Sequence, residues 1–372
     1  MSRSVVLGYP ERLWLSADRK LLDALAHDAL EWLLRRPSAH VAAWPYPYTS
    51  AFVLAVNATD VIEEKDLDIG KLYEAIGGRA TYYTVAELAP ASAFRLKKLQ
   101  DSGHELGYLG DTFDGFKGQP LARQAKRLDA MRKDFKDSGL RFPADAGFHP
   151  PADSYDKTTE KLLVERQFGH HIAFMDASDA RLPFLIMPDS SAEPLVKSTV
   201  VLPRTQIGPD EAMEGNDPKN AVPIFLGELA LASKMAGLSV GSVFSLSLLA
   251  PQEWAEISQF LKERRDRMWL ATSGQVADWW RERGRVTINL DSGPTGLQLS
   301  ITVKGSAPLQ QAVTVLINMP ESGGALRAQP NDKNDLSVKI ETVDAWRSAV
   351  VLTGLSPGKH AWLLHFDCPT AQ

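Results

Sequence analysis

Five short segments, ordered along the first two-thirds of the chain, collect the side chains able to do chemistry. They are Ala51-Phe-Val-Leu-Ala-Val-Asn-Ala-Thr-Asp60, Gly78-Arg-Ala-Thr-Tyr-Tyr83, Gly103-His-Glu-Leu-Gly-Tyr-Leu-Gly-Asp-Thr-Phe113, Gly147-Phe-His-Pro-Pro151 and Leu248-Leu-Ala-Pro251. Carboxylate oxygens and imidazole nitrogens are ligands for a divalent cation, which polarises a carbonyl and lowers the pKa of a bound water. Asp60, His104, Asp111 and His149 could form such an oxygen-and-nitrogen site. Each also has a plain structural role: Asp60 as a loop residue or helix start, Asp111 in a turn, His104 as a strand histidine satisfied by hydrogen bonds. His170 and His171 are adjacent on a strand candidate, so their rings point to opposite faces and do not converge on one metal. His27 reads as a solvated helical residue facing Glu31, and His360 and His365, five apart on a strand, fall on opposite faces.

Other chemistries lack their parts. No serine sits in a strand-turn-helix elbow with a recognisable base, and no Lys-Ser or Lys-Thr follows the glycines at 237, 241 and 274 to complete a phosphate loop. The single cysteine, Cys368, allows neither an intrachain disulfide nor a thiolate zinc cage. Lys plus Arg number 41 against 46 Asp plus Glu, and the resulting net charge of −5 provides no positive field for nucleic acid. Aromatics do gather in or beside the motif segments, among them Trp44, Tyr46, Tyr48, Tyr82, Tyr83, Tyr108, Phe113, Phe148 and Tyr155. Such rings can stack on the C–H faces of sugars or simply fill a core.

These residues need a frame. The 372-residue chain, 44% hydrophobic, has room for about two domains. Asp18 can cap a helix reaching Arg36, stopped by Pro37. Strand candidates follow at Ala51–Val56, Ala80–Val85, His104–Tyr108, Ala146–His149, His171–Phe174, Thr199–Leu202 and Ser239–Leu249. Helical patterns lie between them at Ala91–Gln100, Pro120–Ser138, Lys157–Gln167 and Val222–Ala236, an alternation that predicts a parallel β/α architecture. From Arg285 onward short strands separated by Gly, Pro, Asn and Ser clusters predict a small β-sandwich, with the Trp279-Trp280-Arg281 helix joining the two parts. The longest apolar stretch, Leu238 to Ala250, is broken by serines and too short to cross a bilayer. Met1 to Pro10 lacks the features of a secretory signal.

In kind, order and spacing the five segments resemble the polysaccharide deacetylases (carbohydrate esterase family four, the NodB-homology family), and the Gly-His-Glu-Leu-Gly phrase anchors the register. The resemblance covers about residues 44 to 284. It implies a deformed (β/α)7 barrel and expected domains at 1–43 (helical extension), 44–284 (barrel) and 285–372 (β-sandwich). It also implies a divalent metal, usually zinc, held by one aspartate and two histidines, with an aspartate base and a late histidine acid acting on acetylated carbohydrate. Carried over position by position, the base falls on Asn57 and the metal aspartate on Ala58, or on Thr59 in a one-residue-spaced variant. The two histidines fall on Leu109 and Phe113, the arginine of the Arg-x-Pro phrase on His149, and the acid on Ala250. Hydrocarbon cannot ligate an ion, and a structural zinc site draws roughly 10–16 kcal/mol from its ligands.

The expectation is therefore a catalytically silent relative, without a metal cofactor, that binds polysaccharide or oligosaccharide or serves as an accessory in polysaccharide metabolism. Asn57, Asp60, His104, Tyr108, Asp111, His149 and Tyr155 are its candidate cleft residues. Two rivals stand beside it: an active metal-dependent amidohydrolase or esterase using relocated ligands, and a non-catalytic partner or scaffold for an active paralogue that docks through the β-sandwich. No membrane span and no nucleic-acid partner are expected. Relatives act mostly outside the cytoplasm, which this sequence does not itself indicate.

Overall fold

The computed structural model describes residues 3–7, 19–140, 142–175, 182–189, 191, 193–215, 218–293, 296–319, 325–330 and 338–367. Asp18 and Cys368 lie outside them. The chain divides into two compact units, residues 47–281 and residues 1–46 with 282–372.

The 47–281 unit is a mixed α/β fold. Its strands are β2 (Ser50–Asn57), β3 (Thr81–Val85), β4 (Glu105–Gly110), β5 (His170–Phe174), β6 (Phe184–Ile186), β7 (Thr199–Arg204), β8 (Leu238–Phe244) and β9 (Met268–Ala271). Helices α2 (Leu67–Ala75), α3 (Ala89–Asp101), α4 (Leu121–Asp137), α5 (Lys157–Glu165), α6 (Pro209–Glu214), α7 (Ala221–Lys234), α8 (Pro251–Arg264) and α9 (Ser273–Gly284) alternate with them, the last reaching past the unit boundary. One sheet runs β4-β3-β2-β8 with β9 also on β2, all parallel; a second runs β5-β7-β6. Single bridges from Tyr108 to Phe148 and from Phe148 to His171 link the two. Among the described residues no ladder joins β7 to β8, so the sheet is not closed.

Every residue of β2 is buried, as a parallel strand covered on both faces requires. Phe52, Leu54, Val56 and Ala58 face the helices and join a core with Leu96, Leu128, Met131, Phe135, Phe225 and Trp254. The intervening residues, ending at Asn57, take the second face. In β4 the same alternation sends Leu106 and Tyr108 into the helix-side core, leaving Glu105, Gly107 and Leu109 opposite. Gly107 must lack a side chain, because a Cβ there would lie 2.4 Å from the Tyr83 ring.

The expected Ala146–His149 strand contributes only the bridges at Phe148, and the expected Ser239–Leu249 strand ends at Phe244. Beyond that point Asp210 takes over: its carboxylate accepts from Phe244 N, Leu248 N and Ser247 Oγ, turning the chain out of the sheet.

In the other unit α1 (Arg19–Leu33) precedes β1 (Ser38–Val41), and two four-stranded antiparallel sheets share one apolar cluster. One runs β1-β12-β15-β14, with β12 at Val313–Asn318, β14 at Val338–Thr342 and β15 at Arg347–Leu352. The other runs β10-β11-β16-β13, with β10 at Val286–Gly293, β11 at Gly296–Val303, β13 at Ala325–Pro330 and β16 at Gly358–Asp367. The segment expected as a helical extension over 1–43 contains β1. Ser38–Val41 pairs with Val315–Asn318, so this early segment supplies an edge strand to a sheet otherwise built from the end of the chain.

Candidate functional site at the strand ends

Asn57 ends β2 on the second face, 8% exposed. Its Nδ2 donates to Ser242 Oγ at 3.0 Å, and its Oδ1 lies 2.8 Å from His149 Nδ1. With the amide oriented in this way, Oδ1 is the acceptor and His149 Nδ1–H the donor. The other ring nitrogen, Nε2, is 3.3 Å from Asp153 Oδ1. Asp153 pairs through its second oxygen with Arg204 Nη2, and Arg204 Nη1 donates to Glu211 Oε2 at 2.8 Å. The result is a chain of five side chains, Asn57–His149–Asp153–Arg204–Glu211, laid across the ends of β2 and β7 and the loop after Phe148.

The supporting geometry is costly. Ala152 and Asp153 hold φ values of 50° and 52°, two successive non-glycine residues in the left-handed region. That turn brings the Asp153 carboxylate between the imidazole and the guanidinium. Burial pushes the Asp153 carboxyl up, yet the hydrogen bond and charge of His149 together with Arg204 hold it below the usual carboxylate range. Burial lowers the Arg204 guanidinium and its two carboxylates more than offset this. Buried polar atoms on Arg204, on Gln206 two residues on, and on Ser245, whose amide donates to Asn57 O, have no hydrogen-bond partner within the protein: Arg204 Nε, both amide atoms of Gln206, and Ser245 Oγ. A buried unsatisfied donor or acceptor costs roughly 1–3 kcal/mol, so polar atoms of this kind call for water or a ligand. Beside the chain lies a cleft of about 490 Å³ lined by Lys117, Asp153, Tyr155, Asp156, Glu160 and Phe174. Asp156 also has a structural duty there, capping α5 through Thr158 N and Thr159 N.

The family positions present hydrocarbon. Ala58 is fully buried in the helix-side core, and Leu109 is 5% exposed on the second face. Phe113 is 42% exposed, Thr59 is exposed, and Ala250 stands at the start of α8 with its amide donating to Glu253. The relocated-ligand set is not brought together. His104 lies at the opposite end of the strands, its Nδ1 accepting from Ala80 N at 3.0 Å and its Nε2 2.9 Å from Glu74 Oε1. Gly70 gives that ring room, since a Cβ would sit 2.9 Å from His104 Nε2. Asp111 is clamped by Arg127, which spans both its oxygens and the Gly115 and Asp114 carbonyls. Asp60 is exposed and accepts from Val61 N. Tyr108 is a core residue stacked on Phe142 at 4.6 Å. Tyr155 does line the cleft, edge-on to His171. Of the candidates, Asn57 and His149 meet, Tyr155 borders the cleft, and Asp60, His104, Tyr108 and Asp111 do not join them.

No group of three or more His, Cys, Asp or Glu able to hold a metal occurs among the described residues. The residues present do not fit the divalent metal that the sequence resemblance implies. Both nitrogens of His149 already face acceptors, and Ala58 and Leu109 offer no lone pair. His170 and His171 diverge as the strand alternation requires, the first to Tyr83 Oη at 3.0 Å, the second toward Glu160 at 3.7 Å.

Sequence reasoning did not find Asp153, Arg204, Gln206 or Glu211. Asp153 carries no motif of its own; a charged residue closing the apolar Thr199–Leu202 run was the available signal for Arg204.

No protein-family profile matches the sequence, and no curated protein does. Solved structures match by fold. A protein from Mycobacterium smegmatis described as a polysaccharide deacetylase superposes with a TM-score of 0.54 at 18% identity, covering 65% of this chain and 93% of its own. A protein from Pseudomonas aeruginosa PAO1 described in the same way gives 0.52 at 14% identity, covering 65% and 94%. The PuuE allantoinase gives 0.52 at 14%, covering 65% and 93%. The chain thus has the fold of the polysaccharide deacetylases that its motifs resemble, at identities that establish the architecture alone.

Proposed function

We propose that this protein is a polysaccharide deacetylase-like barrel carrying a β-sandwich, in which the mouth at the strand ends binds glycan and does not hydrolyse it. The observation carrying this reading is the Asn57–His149–Asp153 chain. It occupies the ground where the resemblance calls for a base and a metal, while Ala58 and Leu109 leave hydrocarbon at two ligand positions. The bridges through Phe148 between the two sheets favour a barrel-like arrangement, and the shared apolar cluster of the two antiparallel sheets favours a sandwich.

In this reading Arg204 fixes Asp153, Asp153 and Asn57 orient the imidazole, and the cleft aromatics Tyr155 and Phe174 offer ring surface to sugar C–H groups. Gln206 and Ser245 supply unspent hydrogen-bonding capacity for hydroxyl or acetamide groups or for bridging water.

The test is calorimetric titration with acetylated amino-sugar oligomers, alongside a deacetylation assay in the presence of zinc. Binding that weakens at least tenfold in His149→Ala, with no acetate released above buffer, is expected. Turnover that requires stoichiometric zinc would overturn the reading. A stable complex with an active paralogue and no glycan affinity would replace it with the scaffold role.

A further inference from the structure

The residue 1–46 and 282–372 unit carries a second groove, unrelated to the strand-end mouth and reached by none of the motifs. Its volume is about 650 Å³, and it is lined by Asp28 and Trp32 of α1, His40 of β1, Asn318 at the end of β12, and Trp346 and Arg347 before and at the start of β15. Two of these are tryptophans left open to solvent, Trp32 at 48% and Trp346 at 51%. Large rings are retained at such exposure at a solvation cost, and an exposed aromatic patch rimmed by polar groups marks a contact surface.

Trp346 is not on a loose loop. Its amide donates to Asp344 Oδ1 at 2.9 Å, and Arg347 closes the turn on the same carboxylate through Nε at 2.8 Å. Its carbonyl accepts from Met319 N at 2.7 Å, tying the turn to the neighbouring strand. Trp32 is braced likewise: Arg3 Nη1 donates to its carbonyl at 2.7 Å and the guanidinium lies 4.9 Å from the ring centroid. Lining the groove with the two indoles are a carboxylate, an imidazole, a carboxamide and a guanidinium, with Ser38 Oγ accepting from Asn318 Nδ2 at 3.2 Å. A peptide seated in an aromatic groove would be read through proline or apolar side chains packed on the rings. Two fixed aromatic platforms interleaved with neutral and balanced charged hydrogen-bonding groups instead suit a ring with alternating C–H faces and hydroxyl rims.

We infer that the Trp32–Trp346 groove is a second carbohydrate-binding site, taking a neutral oligosaccharide chain independently of the strand-end mouth. The indoles stack on sugar rings, and Asp28, His40 and Asn318 hydrogen-bond their hydroxyls.

The experiment uses the full chain with His149→Ala, which weakens the mouth, titrated by calorimetry with the N-acetylglucosamine hexamer and, separately, the β-1,4-linked glucose hexamer. Binding of at least one hexamer, weakened tenfold or more by Trp346→Ala and largely restored by Trp346→Phe, is expected. Trp32→Ala should weaken it as well, and denaturation midpoints equal to the parent chain would show that the surface changes leave the fold intact. Binding indifferent to both tryptophans, no binding of either hexamer at millimolar concentration, or displacement of a hexamer by a proline-rich peptide that binds more tightly would each overturn the proposal. His149→Ala weakens the mouth in this chain, so loss of the groove's signal on Trp346→Ala leaves the strand-end reading untouched, and a chain carrying Trp346→Ala with His149 intact reads the mouth alone.

Discussion

The two ends of the 47–281 strands hold the same residue types to different purposes. At the ends where the strands begin, His104 bridges Ala80 N and Glu74, and His170 meets Tyr83 Oη with Glu105 3.9 Å away. Glu105, its carboxyl raised by burial, accepts from Gly274 N and Thr81 Oγ. Left-handed backbone occurs there too, at Gln167 (φ 57°) before β5 and Ala236 (φ 54°) before β8, and burial lowers the pKa of His104 and His170. At the ends where the strands finish, His149 and Asp153 sit on a left-handed turn, Arg204 is buried against two carboxylates, and Gln206 keeps both amide atoms unpartnered. Histidine beside carboxylate therefore says little by itself. What marks the finishing end is the Asp153–Arg204–Glu211 ion-pair chain set beside a cleft.

The comparison is broken most severely at Arg204. Arg204→Met leaves the half-buried Asp153 and Glu211 without their cation and should cost about 3 kcal/mol in urea denaturation. A loss below about 1 kcal/mol would mean that solvent screens these charges. Among the buried histidines the sharper probe is pH. Burial lowers His170 to about 3 and His171 to about 4 from ordinary values near 6.5, so both are neutral when folded and charge on unfolding. Stability is fully present above pH 6.5. It declines as pH falls toward those values, by about 1.4 kcal/mol per pH unit for each histidine. His171→Gln should remove one histidine's share of that slope between pH 6.5 and 4.5, and an unchanged slope would contradict its burial as a neutral ring. The smallest effect belongs to Asp60, exposed and bonded only to its neighbour's amide: Asp60→Ala should change stability by less than about 0.5 kcal/mol and leave glycan binding as it was.

Much of the frame was legible because it is local. The alternation of apolar runs with helical patterns placed β2, β3, β4, β5, β7 and β8 and four helices, and the Gly-His-Glu phrase fixed the register of Leu109, though the expected strand stopped one residue before it. The strand period put His170 and His171 on opposite faces before any coordinates did. What was not legible depends on distant partners. Ser38–Val41 is four residues long and finds its sheet nearly three hundred residues away, so no local pattern assigns it. α2 escaped because Gly70 interrupts its helical pattern, and that glycine answers to the His104 ring packed on it. β9 is a four-residue strand beside β2 with too little sequence for alternation to show. At the site, Asn57 and His149 were visible through the motifs, whereas Asp153 and Arg204 acquire their meaning only when a strained turn and a strand end meet.

The central claim is that the mouth lacks the means to hold a divalent metal. Equilibrium dialysis of the full chain against micromolar zinc, followed by metal analysis, tests it most directly. The account predicts far less than one zinc per chain, unchanged by His149→Ala; one tightly held zinc per chain, lost on that substitution, would contradict it.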